Sequence, residues 1–309
     1  MKTRISFLLL AAGVLLASCS KNENEGGEGP VPGQPVAIRL SAGIDAAEAE
    51  SKASVTTSVT VRIEGWEGTT TPNYATAASK WNSTSSVTDN STAAAIMLSP
   101  VQYYNADGSI KTYIKGWYPA VASNSGTVTF TNNDGTMDVL YASEVSGSKS
   151  SVVSSPLVFK HKSVKLVFTV KRDASLAAGT KIKTIKVKNT AIPTSLSLSS
   201  NTVNYTSKTE LAVPGVTVAE IGTTEAVAGQ PLMVRPEANL NSVKLYIETV
   251  KSDGTTAAAI YDNVALTTSD SKLTEGSAYT VTLTFKQAGI SLKGNITPWT
   301  TATGTADVI

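Results

Sequence analysis

The sequence predicts an all-β protein built from β-sandwiches. Apolar and polar residues alternate in runs of strand length, most clearly over residues 164–171 and 279–286, as in a strand with one buried and one solvated face. Gly, Pro, Asn and Asp separate these runs at short spacing, which is typical of sandwiches. No amphipathic helix is evident after residue 18. No internal sequence repeat with a period of about 20–50 residues is evident, which argues against a solenoid or a propeller.

The N-terminus has the features of a secretory signal that ends in a lipid-modified cysteine. A basic start and a short apolar run lead to Leu16-Ala17-Ser18-Cys19, and the run is shorter than the about 20 residues that span a bilayer. Residues 1–18 are therefore predicted to be removed, with Cys19 carrying the lipid anchor. Diacylation is sufficient for stable attachment to a membrane. The alternative is an ordinary signal peptide that happens to contain a cysteine.

Charge and cysteine content restrict the partners and the stabilising chemistry. The formal charge of +2 comes from 26 basic and 24 acidic residues, and removal of the leader deletes Lys2 and Arg4 but no acid. A mature chain near neutrality argues against nucleic acid as a partner. Cys19 is the single cysteine, so no disulfide within the chain is expected.

After the leader, the sequence divides into a tether and two predicted domains. Residues 19–35 are polar and then Gly- and Pro-rich, as in a flexible linker. A polar stretch, residues 142–155, is interpreted as the junction between an N-terminal domain at 36–155 and a C-terminal domain at 156–309. Within the second domain, the alternation falls out of step between Ile182 and Ile185, which predicts a β-bulge.

The first strand candidate directly follows the tether. Val36, Ile38 and Leu40 alternate with smaller or polar residues in the stretch Val36–Ile44. Small and acidic residues then break the pattern over 45–51, immediately before Lys52.

Catalytic and metal-binding constellations are not evident in the sequence. His161 is the single histidine, which excludes a Cys/His dyad and zinc sites built on several His or Cys ligands. No nucleophile elbow is present, and no local pattern selects a carboxylate pair. We therefore expect no enzyme activity, no cofactor and no metal, and we interpret His161 as structural.

Tryptophans leave a second function open. Packing in the core or at strand ends is the commoner role of such rings. Trp66 and Trp81 lie in a Ser/Thr-rich stretch expected to form short strands and long loops, so they are the candidates for stacking on sugar rings. The alternative function is accordingly a monomeric carbohydrate-binding lipoprotein of the cell surface.

Several motifs, taken in order, resemble the fimbrillin families of Bacteroidales, which are the subunits of type V pili. The segments that carry the resemblance are the lipobox with its tether, the first strand followed by Lys52-Ala53, Lys115-Gly116-Trp117-Tyr118-Pro119, Asp138-Val139-Leu140-Tyr141-Ala142, Phe159 to Leu166 and Leu273 to Trp299.

The resemblance implies two tandem transthyretin-like β-sandwich domains with Greek-key, immunoglobulin-like topology. It also implies a lipid-anchored precursor that a trypsin-like or gingipain-like protease cuts between Lys52 and Ala53. Arg39 is the alternative site, but it lies inside the first strand, so a cut there would leave part of that strand behind. Loss of the first strand would open a groove that a neighbouring pilin subunit fills by strand addition.

The implied location is the outer membrane and cell surface, and then the fimbrium, with a host or bacterial surface molecule as an adhesion ligand. Residues 300–309 are either a short donor strand or a tail, and the stalk, tip and anchor positions in a fibre all remain open.

Overall fold

The computed structural model describes residues 34–45, 58–88, 93–131 and 134–297, and these residues form strands, turns and loops without a helix. The predicted all-β class is thereby confirmed. From Pro35 onward the described residues group as one compact unit.

Nine strands lie within the described residues up to position 161. The strands up to residue 161 are β1 (Leu40–Ile44), β2 (Ser58–Gly68), β3 (Trp81–Thr88), β4 (Ala94–Ile96), β5 (Lys111–Tyr118), β6 (Ser123–Asn124), β7 (Thr127–Thr129), β8 (Leu140–Gly147) and β9 (Leu157–His161).

The second half contains the longer and more regular strands. They are β10 (Val164–Arg172), β11 (Lys181–Thr190), β12 (Pro193–Ser197), β13 (Thr202–Tyr205), β14 (Thr209–Ala212), β15 (Ala219–Glu220), β16 (Ala226–Val227), β17 (Leu232–Val234), β18 (Lys244–Val250), β19 (Ala257–Ala265), β20 (Ala278–Lys286) and β21 (Gly289–Thr297).

A seven-stranded sheet in the order β3-β2-β5-β8-β9-β1-β4 forms the first layer. It curls so that β3 also contacts β1 and β4. One face encloses a core that includes Val61, Ile63, Ile114, Leu157 and Phe159. Apolar side chains at every second strand position, such as Val61 and Ile63 or Leu157 and Phe159, supply this core, because successive residues of a strand point to opposite faces.

Two five-stranded sheets pack around a second core. One has the order β16-β10-β20-β21 with β17 also on β10, and the other has the order β14-β11-β18-β19 with β15 also on β11. Alternating residues of β10 and β20, among them Leu166, Phe168, Val281 and Leu283, are fully buried between them. The predicted bulge in β11 is confirmed by a shift in its pairing with β18 between Ile182 and Thr184.

A four-stranded sheet in the order β13-β12-β7-β6 joins strands from both halves. Thr127, Val128 and Thr129 of β7 pair with residues of β12. A third core, which includes Trp66, Trp117, Val128 and Leu196, is formed by side chains from this sheet and from the first layer. The two halves are therefore connected by backbone hydrogen bonds as well as by the chain.

The predicted junction at 142–155 and the boundary after residue 155 are both corrected by the sheets. Residues up to Gly147 belong to β8, and β9 pairs with β8 and β1. The first-layer sheet thus extends past residue 155. Polar composition misled the prediction because β8 is solvated over part of its length.

Candidate functional site

The first strand is held along its whole described length. Before β1 begins, the carbonyl of Val36 accepts a hydrogen bond from the N–H of Tyr104 at 3.0 Å, and the N–H of Ile38 donates to the carbonyl of Gln102 at 2.8 Å. After β1, the N–H of Asp45 donates to the carbonyl of Phe159 at 2.8 Å. The predicted strand Val36–Ile44 thus consists of an extended segment with an isolated β-bridge between Ala37 and Tyr103, followed by strand β1.

Strand β1 lies between β9 and β4 and uses both of its edges. It runs parallel to β9, with Ala42 opposite Leu157 and Ile44 opposite Phe159. It runs antiparallel to β4, with Leu40 opposite Ile96. Withdrawal of β1 would leave donors and acceptors of both neighbours unpaired, and unpaired strand edges are templates for another strand.

The apolar side chains of this segment point into the first core. Ile38, Leu40 and Ile44 are only 4%, 5% and 2% exposed, and Val36 is half-buried against the same cluster. Each fully buried aliphatic side chain contributes about 1.5–3 kcal/mol to stability. The strand therefore cannot leave without a large loss of stability unless another strand takes its position.

Of the residues predicted for lipidation and proteolytic processing, only Arg39 lies within the described ranges. Cys19, Lys52 and Ala53 lie outside the described residues. Arg39 is described and is exposed between two buried neighbours, so a cut there would divide the segment that fills the groove.

Both tryptophans proposed for sugar contact are buried, so the expectation that they lie on loops is wrong. Trp66 is in β2 and is 2% exposed, and Trp81 is in β3 and is 8% exposed. The Trp66 indole donates to the carbonyl of Ala77 at 3.1 Å and meets the Tyr74 ring edge-on at 4.9 Å between centroids. Neither ring presents a face on which a sugar could stack.

The sequence analysis did not predict that Lys115 is buried. Lys115 of β5 is 3% exposed, and its Nζ lies 2.5 Å from the carbonyl oxygen of Leu198 and 3.1 Å from Oδ1 of Asn201. Desolvation by burial lowers the pKa of Lys115, and the nearby carboxylate of Glu144 partly opposes that shift. The available signal was a lysine between Ile114 and Gly116-Trp117, inside an otherwise apolar run.

Aromatic and acidic groups complete the surroundings of Lys115. Its Nζ is 3.9 Å from the centroid of the Tyr74 ring and 3.9 Å from Oε2 of Glu144. The Tyr74 hydroxyl donates to the same carboxylate, and the Tyr141 hydroxyl donates to Oδ1 of Asn201 at 2.6 Å. Desolvation by burial raises the pKa of both tyrosines above the ordinary range.

His161 is buried at the end of β9, with Nδ1 2.7 Å from Oδ2 of Asp138. Within the described ranges, no group of three or more His, Cys, Asp and Glu side chains is arranged to hold a metal ion. Over the same ranges, no helix has the length and apolar character needed to cross a membrane.

The fold and the first-strand site define an all-β protein whose N-terminal strand completes a sheet from a position between two other strands. A family model described as fimbrillin-like matches residues 51–299. Since this match covers more than half of the chain, the protein belongs to the fimbrillin-like family. No curated protein sequence matches it.

Solved structures share the fold. A candidate cell adhesion protein from Bacteroides uniformis is 20% identical with a TM-score of 0.55, over 85% of this chain and 99% of the other. A fimbrial protein from Bacteroides vulgatus is 15% identical with a TM-score of 0.51, over 85% and 99%. A candidate cell adhesion protein from Bacteroides ovatus is 14% identical with a TM-score of 0.52, over 87% and 100%.

Proposed function

We propose that this protein is the surface-anchored precursor of a structural and adhesive pilus subunit, assembled by protease-triggered strand exchange. The observation that carries the proposal is the position of β1, which is hydrogen-bonded on both edges and buries Ile38, Leu40 and Ile44. Membership of the fimbrillin-like family and the fimbrial protein among the similar structures support the same reading.

In this proposal, Cys19 holds the precursor to the outer membrane until a trypsin-like or gingipain-like protease cuts after Lys52. The cut separates the first strand from the rest of the chain, but the buried side chains keep the strand in place. A strand from a neighbouring subunit then displaces it, because the incoming strand hydrogen-bonds to the edges of β9 and β4 and its side chains fill the same pockets.

The contact that results joins two different surfaces, the groove of one copy and the donor strand of another. Such head-to-tail contacts propagate into fibres unless a rotation closes them into a ring. The proposal therefore places the protein at the cell surface and in a fimbrium, with other pilin subunits as partners and a host or bacterial surface molecule as an adhesion ligand.

Limited proteolysis tests the proposal directly. We expect a Lys/Arg-specific protease to produce a new N-terminus at Ala53 in the purified mature chain, followed by high-mass ladders on a non-boiled gel. Lys52→Gln should remain uncut at this position and should form no ladder, whereas Arg39→Gln should behave as the wild-type chain does. A wild-type chain that stays monomeric after complete cutting at Lys52 would contradict self-assembly by strand exchange.

A competing peptide tests the exchange step separately from the cut. A synthetic peptide spanning residues 36–45 should suppress ladders when it is added in excess to the cut protein, since it refills the groove. A peptide with Ile38, Leu40 and Ile44 replaced by Asp is the matched control and should leave the ladders unchanged. Removal of residues 300–309 then distinguishes a donor strand, whose loss abolishes the ladders, from a tail.

Carbohydrate binding receives no support from the structure. The rings proposed for it, Trp66 and Trp81, are both buried.

A further inference from the structure

Lys115 and Asn201 bring together an amine and a side-chain amide from distant parts of the chain. Lys115 lies in the middle of β5, and Asn201 lies in the turn between β12 and β13. The Nζ of Lys115 is 3.1 Å from Oδ1 of Asn201 and 2.5 Å from the backbone carbonyl oxygen of Leu198. Of these two groups, the side-chain amide of Asn201 is the electrophile that can be exchanged without cutting the main chain.

Neighbouring groups match the requirements of amide exchange. Burial favours the neutral and therefore nucleophilic form of an amine. The Tyr141 hydroxyl, 2.6 Å from Oδ1 of Asn201, can stabilise negative charge that develops on this oxygen. The Glu144 carboxylate is 3.9 Å from Nζ and accepts a hydrogen bond from Tyr74, so it is held beside the proton that must be transferred.

We propose that Lys115 and Asn201 become joined by an intramolecular isopeptide bond after the chain folds. The neutral Nζ attacks Cγ of Asn201 and forms a C–N bond, and the proton released from Nζ passes to the Glu144 carboxylate. Glu144 returns that proton to Nδ2 as the Cγ–Nδ2 bond breaks. One ammonia leaves, one amide replaces another, and no oxidant, reductant or cofactor is needed.

Asn201 as a whole is exposed at its turn although its Oδ1 faces Lys115. This position gives the released ammonia a path to solvent, which makes the reaction effectively irreversible. The product ties β5 of the first layer to the β12–β13 hairpin. The inference concerns the chemistry of one subunit and does not depend on the proposed function.

Another Lys–Asn pair in the same chain supplies the internal comparison. Nζ of Lys188 lies 3.5 Å from Oδ1 of Asn263, but this pair is at the surface and Lys188 is also paired with Asp262. Solvent stabilises a charged ammonium there. We therefore expect no bond between Lys188 and Asn263.

Tryptic peptide mapping of the folded, purified chain tests the proposal. A free Lys115 gives separate peptides 112–115, 116–149 and 189–208, because trypsin cuts after Lys. With the isopeptide bond, residues 112–149 and 189–208 should be recovered as one branched species. Its mass should be lower than the sum of its parts by one ammonia, about 17 Da. Separate peptides in the wild-type map would overturn the proposal.

Variants assign the roles of the residues. Asn201→Ala and Lys115→Met should each give the intact mass calculated from the sequence. Lys188→Met should still give a branched species, in which 187–208 replaces 189–208 because the cut after residue 188 is lost. Asn201→Asp should still form the bond but lose water, about 18 Da, in place of ammonia. Glu144→Gln should slow the appearance of the branched species in freshly purified protein. Formation at the wild-type rate in Glu144→Gln would overturn the assigned role of Glu144.

Discussion

A Cβ built on Gly65 would fall 2.2 Å from Cε2 and 2.3 Å from Cζ2 of Trp81, so the indole occupies the space that any other side chain at position 65 requires. The two residues are direct partners in the β2–β3 ladder. The contact explains why Trp81 is buried in a strand whose other residues are mostly Ser and Thr.

Gly65→Ala should therefore destabilise the protein by about 1–3 kcal/mol, the usual range for overpacking a core. The midpoint of urea denaturation measures this change. Gly222→Ala is the matched control, because its added Cβ would meet nothing nearer than 3.7 Å and should leave the midpoint nearly unchanged. Equal midpoints for the two variants would contradict the proximity of Trp81.

Leu40→Ala should destabilise the uncut chain by about 2–5 kcal/mol, since it deletes a buried side chain of β1 and leaves a cavity. Its exposed neighbour provides the comparison, with Arg39→Ala expected within about 0.5 kcal/mol of wild type. Denaturant titration measures the free energy of unfolding of both variants, and equal values would contradict the burial of Leu40. If strand exchange operates, Leu40→Ala should also form ladders faster after cutting, and a slower rate would count against displacement of β1.

Tyr205 should make stability decline at alkaline pH. Its hydroxyl donates to the carbonyl of Lys162 at 2.8 Å, and burial raises the pKa of this phenol well above its ordinary range. The unfolded chain loses the proton near pH 10 while the folded chain keeps it, so this contribution is present below about pH 10 and falls as the pH rises.

Urea midpoints at about pH 8 and about pH 11 test the effect of Tyr205. Tyr205→Phe should be less stable at the lower pH by about 0.5–1.5 kcal/mol for the lost hydrogen bond, and its further decline should be smaller than that of wild type. Tyr103→Phe alters a half-exposed ring and should retain the wild-type decline. An unchanged decline in Tyr205→Phe would refute the assignment.

Asp253 should contribute in the acid range. It lies in the turn between β18 and β19, where hydrogen bonds from the Thr256 hydroxyl and from the N–H groups of Thr255 and Thr256 lower the pKa of Asp253 to about 2. The contribution of this carboxylate is complete above its ordinary pKa of about 3.9 and is lost as the pH falls through about 2.

Asp253→Asn should therefore be less stable than wild type at about pH 5, and the difference should shrink towards pH 2. Denaturation midpoints across this range provide the test, and an NMR titration of the Asp253 carboxyl group gives the pKa directly. A carboxyl group that titrates at its ordinary value would contradict the role assigned to the turn.

Local alternation was sufficient to predict individual strands but could not give their partners. Val164–Val170 and Tyr279–Phe285 show their buried faces in the sequence, yet nothing local indicates that Leu166 pairs in parallel with Tyr279. The pairing of Leu196 with Val128 was unpredictable for the same reason, because a ladder between distant segments depends on the packing of whole sheets.

The site was predictable to a similar extent. The alternation of Val36, Ile38 and Leu40 identified the first strand, because burial on one face leaves a period of two. The burial of Trp66 and Trp81 was not predicted. Trp66 packs against Tyr74 in the following loop, and Trp81 occupies the space beside Gly65 on the neighbouring strand, and local alternation indicates neither contact. The surroundings of Lys115 were also beyond local reasoning, because Asn201 reaches it from the second half of the chain.

The β7–β12 ladder has a mechanical consequence. Thr127–Thr129 and Ser195–Ser197 pair directly, and the ladder is extended by hydrogen bonds from Phe130 N–H to Thr194 O and from Leu198 N–H to Gly126 O, each 2.8 Å. Rotation of one half against the other would break this row of bonds together, so a hinge between the halves is stiff. In a chain of such subunits, compliance under flow or traction would reside at the junctions between copies.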